Sequence, residues 1–386
     1  MSETIKILIA GDYVPQHRVS NLIDKSQFAD VFSEVLPYTQ AADYSIVNLE
    51  SPVVQSFSAK PIDKSGPRLK CSPKAIESLV YAGFDMVTLA NNHFYDYGEE
   101  GVEDTLQTCE AYDIDVIGGG RNLYEASMTV YKQIKGVRFA FINCCEHEFS
   151  IAEATSGGAN PINPVKQYYA IREAKNRADK IIVIVHGGFE HYQLPSSRMV
   201  ETYRFFIDAG ADVVINHHQH CYSGYEVYNN KPIFYGIGNF CFDWEGRNSG
   251  IWTEGYIVTL LFTKGDGVEF VISPYKQCDD TVGIHFITDD EKFKFCGKLN
   301  ELNKIISNPE RLISENSKYY DRCSNHELRI LEPYSGRMQN YLYNKKLLPS
   351  CMTKSKCLSV YNHIYCESHR EKITYALKSR FKDVIE

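Results

Sequence analysis

Short runs of apolar and β-branched residues alternate with helix-like segments along most of this 386-residue chain. Each run has about the length of a β-strand, and most are apolar throughout, which is typical of strands buried on both faces. Alternating strands and helices predict an α/β fold, in which a parallel or mixed sheet carries helices on both faces. The predicted strands are residues 5–10, 44–49, 86–90, 115–117, 138–142, 181–185, 212–215 and 232–237, and the predicted helices are residues 72–83, 98–112, 164–178 and 196–209.

The pattern changes after Lys231, where strand-like runs follow one another without helices between them. Residues 232–239, 256–262 and 268–275 predict antiparallel strands at the edge of a sheet. Beyond about residue 278 the strand signals fade, and charged, amide-rich segments predict helices instead. We therefore expect an α/β domain over residues 1–280 and a mainly helical C-terminal region of unknown role over residues 281–386. The predicted C-terminal helices are residues 290–307, 327–331 and 367–385.

Composition and charge exclude several classes of partner and of cellular location. Lys and Arg total 41 against 49 Asp and Glu, and the resulting net charge of −8 argues against nucleic acid or an anionic membrane surface as the main partner. The opening MSETIKILIAGD lacks the basic and apolar regions of a signal peptide, and the apolar runs are far shorter than the ~18 residues of a membrane span. Twelve scattered cysteines without a CxxC pair indicate reduced thiols. We expect a cytoplasmic protein with no inserted segment.

Polar side chains stand at the carboxyl ends of five predicted strands. Open α/β sheets bind ligands at that edge, so these residues are expected to lie together. Carboxylate, amide and imidazole groups without a thiolate suit Mn²⁺, Fe or Zn²⁺. The sequence therefore predicts a divalent-metal site with one or two ions. Its candidates are Asp12 after the first strand, Glu50 after the second, Asn91, Asn92 and His93 after the third, His186, and His217, His218 and His220.

Each of these residues also has an ordinary structural interpretation. An Asp after a strand fits equally well as a turn residue, and Glu50 taken alone fits better as a solvated loop charge. The His-rich segment is the least compatible with a structural role. Alternate residues of an extended segment face the same side, so His218 and His220 can bind together. The convergence of five strand ends favours the metal site over separate structural roles.

As an ordered set, six motifs resemble the capsule-synthesis CapA family, also called the poly-γ-glutamate capsule family, within the calcineurin-like metallophosphoesterase superfamily. The resemblance implies a metallophosphoesterase-like layered fold with mixed β-sheets flanked by helices. It also implies a role in capsule or polysaccharide biosynthesis. The motifs are AGD (10–12), NLE (48–50), ANNHFYDYG (90–98), HGGFE (186–190), NHHQH (216–220) and YGIGNFCFD (235–243).

The resemblance also implies a role for individual residues. His93 matches the histidine that stands near the leaving group as a general acid. The spacing of Asp96 suits it to orient His93, which makes the imidazole more basic. The residues that match metal ligands of the family are Asp12, Glu50, Asn92, His186, His218 and His220.

Two departures from the family pattern bear on the metal and on the substrate. The superfamily's first motif is usually Asp-x-His, whereas Val14 follows here, so one imidazole is missing and one of two ion sites is expected to be weak or absent. The usual Trp after His186 is replaced by Gly187, which opens the pocket, and His191 adds a group that titrates near neutral pH.

Four residues are candidates for contact with the substrate. Arg68 suits a phosphate or carboxylate, which a guanidinium binds through two hydrogen bonds, although an ordinary surface arginine fits equally well. Glu190 and His191 follow the metal-ligand candidate His186, and Asn239 stands in a Gly-Asn-Phe segment after a strand, where packing is an equal alternative.

Three functions remain open at this point. The favoured one is a metal-dependent hydrolase of the phosphoesterase type acting on a phosphorylated glycan or capsule precursor through a metal-activated water. The second is hydrolysis or transfer at amide or ester bonds of a poly-γ-glutamate-like polymer, which the net charge of −8 disfavours. The third is a non-catalytic accessory subunit of capsule polymer synthesis or export. The expected partner is a small or oligomeric anionic or glycan substrate, with a homo-oligomer or a capsule-pathway partner left open.

Overall fold

The computed structural model describes residues 4–56, 58–64, 66–263, 267–330, 334 and 336–365. Most strands of these ranges fall where apolar runs predict them. The strands are β1 (Ile5–Val14), β2 (Tyr44–Leu49), β3 (Met86–Thr88), β4 (Asp115–Ile117), β5 (Gly119–Gly120), β6 (Val130–Ile134), β7 (Val137–Cys145), β8 (Gly158–Ala159), β9 (Lys180–His186), β10 (Val213–His217), β11 (Tyr225–Tyr228), β12 (Lys231–Phe234), β13 (Asn239–Phe242), β14 (Glu254–Phe262), β15 (Val268–Gln277) and β16 (Ile284–Phe286).

The helices connect these strands and form most of the C-terminal region. Several begin at a residue whose side chain accepts a hydrogen bond from the first turn, such as Asn163 and Ser196. The helices are α1 (His17–Asp24), α2 (Ala29–Phe32), α3 (Leu36–Gln40), α4 (Lys74–Tyr81), α5 (Gly98–Ala111), α6 (Leu123–Ala126), α7 (Pro164–Ala174), α8 (Ser197–Ala209), α9 (Asp289–Ile306), α10 (Pro309–Ile330), α11 (Arg337–Asn344) and α12 (Lys354–Tyr365).

Two mixed sheets form the centre of the fold. The first has the order β16-β15-β14-β1-β2-β3-β4, with β13 pairing in parallel with the end of β1. Strands β1 to β4 run parallel, while β14 and β15 are antiparallel, as predicted for residues 256–262 and 268–275. Strand β16 adds an antiparallel edge that the sequence did not predict. The second sheet has the order β11-β12-β10-β9-β7-β6, with a parallel centre made of β7, β9, β10 and β12.

The side-chain alternation of β1 shows how the layers pack. Ile7 and Ile9 face a core that also contains Phe141 and Ile184 of the second sheet, so the two sheets pack face to face. Leu8 faces the opposite way, into the core beneath helices α1, α4 and α5. Helices α7 and α8 cover the outer face of the second sheet in the same manner. The result is a four-layer arrangement of helices, sheet, sheet and helices, which confirms the predicted α/β class of mixed sheets flanked by helices.

One predicted strand ends earlier than expected. The apolar run from residue 232 was expected to form a single antiparallel strand at a sheet edge, but β12 ends at Phe234 in the second sheet, where it is parallel to β10 and antiparallel to β11. The chain then turns at Gly238, which has a φ of +83°, and enters the first sheet as β13. A continuous apolar run fits either arrangement because both sheets are buried at this point.

The chain divides into two compact units, Met1–Leu312 and Ile313–Glu386. The first unit includes α9, where Phe295 and Leu299 contribute to the core between the sheets. The second unit contains α11 and α12, and the helix predicted over residues 367–385 lies outside the described residues. No helix in the described part of the chain combines the length and apolar character needed to cross a bilayer.

Candidate metal centre

Strand ends from both sheets meet at one place. In the first sheet, Asp12 lies near the end of β1, Glu50 directly follows β2, and Asn92 lies in the turns after β3. In the second sheet, His186 ends β9, and His218 and His220 follow β10. All six side chains are buried. The structure thus brings together the six residues that match metal ligands of the family, at the edge where the parallel strands of both sheets end.

Glu50 lies at the middle of this cluster. Its Oε1 is 3.4 Å from Nε2 of His186 and 3.7 Å from Nε2 of His220. Neither oxygen of Glu50 accepts a hydrogen bond from any residue that the structure describes. A buried carboxylate without partners is costly, and a cation between it and the imidazoles would satisfy it.

Two groups of potential ligands share Glu50. One consists of Asp12, Glu50 and His220, and the other of Glu50, His186 and His218, with the ligand atoms of each group within 4.8 Å of one another. The two groups would hold one or two divalent ions, and Glu50 would belong to the ligand set of each.

The first group is oriented by an amide. Nδ2 of Asn48 donates to Oδ1 of Asp12 at 2.7 Å, and the backbone N–H of His218 donates to Oδ2 of Asp12 at 3.3 Å. Oδ2 of Asp12 also lies 3.6 Å from Nδ1 of His220. Val14, at the position of the missing imidazole, is buried in an apolar cluster, so three protein ligands remain in this group.

The second group is completed by an amide oxygen. Nε2 of His186 lies 3.0 Å from Oδ1 of Asn92 and 3.0 Å from Nδ1 of His218. These three atoms and a Glu50 oxygen are therefore gathered around one point. His218 and His220 both have positive φ angles, 92° and 52°. Left-handed backbone costs a non-glycine residue about 1–3 kcal/mol, and such strain is common where side chains must be aimed at a ligand.

Burial shapes the charge state of the cluster. Desolvation raises the pKa of Asp12 to about 7, with the hydrogen bond from Asn48 opposing the shift, and it raises the pKa of Glu50 well above its usual value. Desolvation also lowers the pKa of His218 to about 4, so this imidazole is neutral and free to bind a metal. Two carboxylates that burial penalises, next to neutral imidazoles, form a ligand set that fits divalent cations.

His93 lies beside the centre in a separate hydrogen-bonded network. Its Nδ1 is 2.6 Å from Oδ2 of Asp96, and Leu69 donates its backbone N–H to the same oxygen at 2.7 Å. Lys64 contacts the other oxygen of Asp96, and its Nζ lies 3.2 Å from Nδ1 of His93. Desolvation lowers the pKa of His93, and the hydrogen bond with Asp96 opposes that shift. With Nδ1 occupied, Nε2 is the nitrogen of His93 left to act on a ligand.

The four substrate-contact candidates have different surroundings. The guanidinium of Arg68 donates to the backbone carbonyl oxygens of Ile62, Lys64 and Gly66, so in this structure it holds the loop that carries Lys64.

The other three candidates lie next to the centre. Oε2 of Glu190 lies 3.7 Å from Nε2 of His191, and both side chains are partly exposed. Asn239 is buried, with its Oδ1 2.9 Å from Nδ1 of His220.

Several residues around the centre were missed by the sequence analysis. Lys64 comes from an irregular loop, and no motif marks it. Glu148 accepts a hydrogen bond from Asn92 and lies 3.9 Å from Nε2 of His218. Asn48 stands inside the NLE motif, and its position two residues before Glu50 was the one available signal.

A family model described as bacterial capsule synthesis protein PGA_cap matches residues 6–244. The chain is 32% identical over 250 residues to the capsule biosynthesis protein CapA of Bacillus anthracis, which covers 63% of this chain and 61% of that protein. It is 32% identical over 245 residues to the PGA biosynthesis protein CapA of Bacillus subtilis (strain 168), covering 62% of this chain and 64% of that protein. These matches confirm the family resemblance of the six motifs.

The chain thus spans less than two thirds of the length of these curated relatives. A probable polyglutamine synthesis accessory protein of Mycobacterium tuberculosis (strain CDC 1551 / Oshkosh) is 26% identical over 219 residues, covering 53% of this chain and 57% of that protein. Among solved structures, the NAD nucleotidase of Haemophilus influenzae has a TM-score of 0.44 and 13% identity, covering 83% of this chain and 61% of that chain.

Proposed function

The chain belongs to the family of bacterial capsule synthesis proteins described as PGA_cap, and we propose that it is a divalent-metal-dependent hydrolase of the phosphoesterase type. The observation that carries the proposal is the pair of ligand groups sharing Glu50, whose buried oxygens have no hydrogen-bond partner among the described residues. A structural ion would be served by one closed group of ligands, whereas two overlapping groups suit a reaction at the ions.

The proposed reaction assigns distinct tasks to the residues of the centre. Asp12, Glu50, Asn92, His186, His218 and His220 would hold one or two ions of Mn²⁺, Fe or Zn²⁺. A divalent ion bound there would supply an activated water and polarise a phosphoryl oxygen.

His93 would complete the reaction as a general acid. Its Nε2 would donate a proton to the leaving oxygen, while Asp96 holds the ring from the Nδ1 side. The ion pair with Lys64 fixes Asp96 in turn, so the proton donor is oriented before the substrate arrives.

Membership of a capsule family supports a phosphorylated glycan or capsule precursor as the substrate. A second candidate is hydrolysis or transfer at amide or ester bonds of a poly-γ-glutamate-like polymer, favoured by a relative named as a PGA biosynthesis protein. A metal-polarised carbonyl and the same proton donor would serve that reaction too. A third candidate, a non-catalytic accessory subunit, is favoured by a relative named as an accessory protein.

The test measures metal content and turnover on the same protein. The chain is purified without chelator, and bound Mn, Fe and Zn are quantified for wild type and for His218→Ala with His220→Ala. Hydrolysis of p-nitrophenyl phosphate and of its bis-ester is then followed with and without added Mn²⁺. A control variant, His285→Ala, removes a partly exposed histidine that belongs to neither ligand group.

We expect one or two ions per wild-type and control chain, fewer ions in the double variant, and phosphate-ester hydrolysis that depends on them. Cleavage of poly-γ-glutamate without any phosphatase activity would favour the second candidate. Metal that stabilises the fold while no substrate turns over would favour the third. A wild-type chain that binds no metal even after reconstitution would refute the proposal.

A further inference from the structure

A loop next to the candidate metal centre is anchored at both of its ends. The loop covers residues 243–253 and connects β13 to β14. At its start, the carboxylate of Asp243 accepts hydrogen bonds from Arg18, with 2.7 Å between Nη2 and Oδ1. Near its end, Nε1 of the buried Trp252 donates to the backbone oxygen of Phe242 at 3.0 Å. Side chains carried by this loop are therefore held in place relative to the strands.

Arg247 extends from this loop, and two neighbours fix its guanidinium. Its Cζ lies 4.5 Å from the centroid of the Trp252 ring, and its Nη1 lies 2.8 Å from Nε2 of His191. Burial and the charge of Arg247 lower the pKa of His191, so the neutral ring accepts this hydrogen bond. The other side-chain N–H groups of Arg247 have no acceptor in the part of the chain that the structure describes.

The same two neighbours connect Arg247 to the centre. The ring of Trp252 lies 5.2 Å from that of His220, centroid to centroid, and the ring of His191 lies 6.1 Å from it. The guanidinium is thus separated from a candidate metal ligand by the width of one aromatic ring. Arg247 is exposed to solvent, so a ligand held at the centre can reach it.

We propose that Arg247 is a specificity-determining residue that binds a second anionic group of the substrate, a carboxylate or a phosphate, while the scissile group lies at the metal centre. The inference rests on the proposed hydrolase function. A guanidinium with a fixed plane and unused N–H groups binds such anions through two parallel hydrogen bonds. A substrate whose single anionic group is the scissile phosphate has no second anion for Arg247 to bind.

Three sugar phosphates of similar size serve as probes. Glucose 6-phosphate carries one phosphate, 6-phosphogluconate adds a carboxylate, and fructose 1,6-bisphosphate adds a second phosphate. Initial rates of phosphate release by the Mn²⁺-reconstituted full chain give kcat/KM for each probe. Where no phosphate is released, titration calorimetry gives the three values of Kd instead.

The variants separate the charge of Arg247 from its geometry. Arg247→Ala removes both, whereas Arg247→Lys keeps the charge but not the stacked fork of N–H groups. The matched control is Arg177→Ala. Arg177 is also exposed and also lies 4.5 Å over an aromatic ring, that of Tyr131, but it contacts none of the candidate ligands.

For wild type and the control, we expect kcat/KM or affinity to be about tenfold higher for the better of the two probes with a second anion than for glucose 6-phosphate. Arg247→Ala should bring all three probes to within about threefold by lowering the values for the two probes with a second anion much more than the value for glucose 6-phosphate, and Arg247→Lys should fall between wild type and Arg247→Ala. The probe that loses most identifies carboxylate or phosphate as the preferred anion.

Three results would overturn the inference. These are equal use of the three probes by wild type, equal weakening of all three by Arg247→Ala, and no binding of any probe. Binding that depends on Arg247, with no phosphate released from these probes or from p-nitrophenyl phosphate and its bis-ester, would count against the hydrolase function and leave the anion site standing.

Discussion

Nδ1 of His220 lies 2.9 Å from Oδ1 of Asn239, and this contact turns Nε2 of the same ring toward Glu50, 3.7 Å away. An amide oxygen accepts, so Nδ1 carries the proton and the lone pair of Nε2 is available for a metal. Nδ2 of Asn239 donates to the backbone oxygen of Trp252 at 3.1 Å, which fixes the amide in turn. A metal-binding histidine is typically oriented in this way.

Asn239→Ala should weaken metal binding about tenfold to a hundredfold, because His220 loses the contact that fixes its proton and its orientation. Asn239→Asp keeps an acceptor and should recover most of the affinity. The measurement is a competition titration of Mn²⁺ or Zn²⁺ against a chromophoric chelator. Asn248→Ala, in an exposed part of the following loop, is the control, and an equal loss there would contradict the assigned role.

Lys64→Met should destabilise the fold strongly. The side chain of Lys64 is 3% exposed and that of Asp96 is 0% exposed, so the variant leaves a buried carboxylate without its cation. Breaking a buried pair in this way costs about 3–5 kcal/mol, and urea unfolding measures the loss.

The double variant Lys64→Met with Asp96→Asn removes the unpaired charge and should regain part of this stability. Its phosphatase activity should stay low because His93 has lost its charged partner. Lys70→Met changes an exposed lysine of the same connection and should leave both properties unchanged.

The stability of the fold should depend on pH in acidic solution because of Glu291. Its carboxylate accepts a hydrogen bond from Nζ of Lys276 at 2.6 Å and caps helix α9 through Thr288, and these contacts lower its pKa from 4.5 to about 2. A lowered pKa means that the stabilisation is complete above about pH 4.5 and is lost as the pH falls toward about 2.

Glu291→Gln keeps a capping side chain but carries no charge. We therefore expect the wild type to be more stable at neutral pH and the difference to shrink toward zero in acid. Urea midpoints compared between about pH 6 and pH 3 test this. A difference that stays constant over the range would show that the charge of Glu291 contributes nothing.

Two glycine substitutions should change the stability of the fold in opposite directions. A Cβ on Gly11 would lie 1.9 Å from the backbone oxygen of Gly238, so Gly11→Ala should force β1 and β13 apart and cost about 1–3 kcal/mol. Gly297 lies inside α9 with open space around its Cβ position, and Gly297→Ala should stabilise the helix by about 0.5–1 kcal/mol. Thermal unfolding of both variants gives the comparison, and a stable Gly11→Ala protein would contradict the close approach.

The position of the metal centre could be predicted because it depends on topology. Polar residues directly after apolar strands, such as Glu50 and His186, must appear at one edge once the strands are parallel. The ordered motifs then identified the family without any knowledge of side-chain contacts.

The residues that complete the site could not be predicted in this way. Lys64 and Arg247 come from irregular loops, and a charged loop residue looks the same in sequence whether it faces solvent or a buried carboxylate. Only the folded loop, held for example by Arg68, brings Lys64 to Asp96. The end of β12 at Phe234 was hidden for a similar reason, because the apolar residues Tyr235 and Ile237 that follow it are buried although they lie outside the strand.

The segment around Gly238 leaves the second sheet and enters the first, and it does so beside Asp12 and His220. The candidate ligands therefore come from strands that are separated by up to about 200 residues and belong to different sheets. Contacts between such distant parts of a chain form slowly during folding, since they need long loops to close. A partly folded chain with only one sheet in place holds an incomplete set of ligands, so metal uptake reports that folding has reached its end.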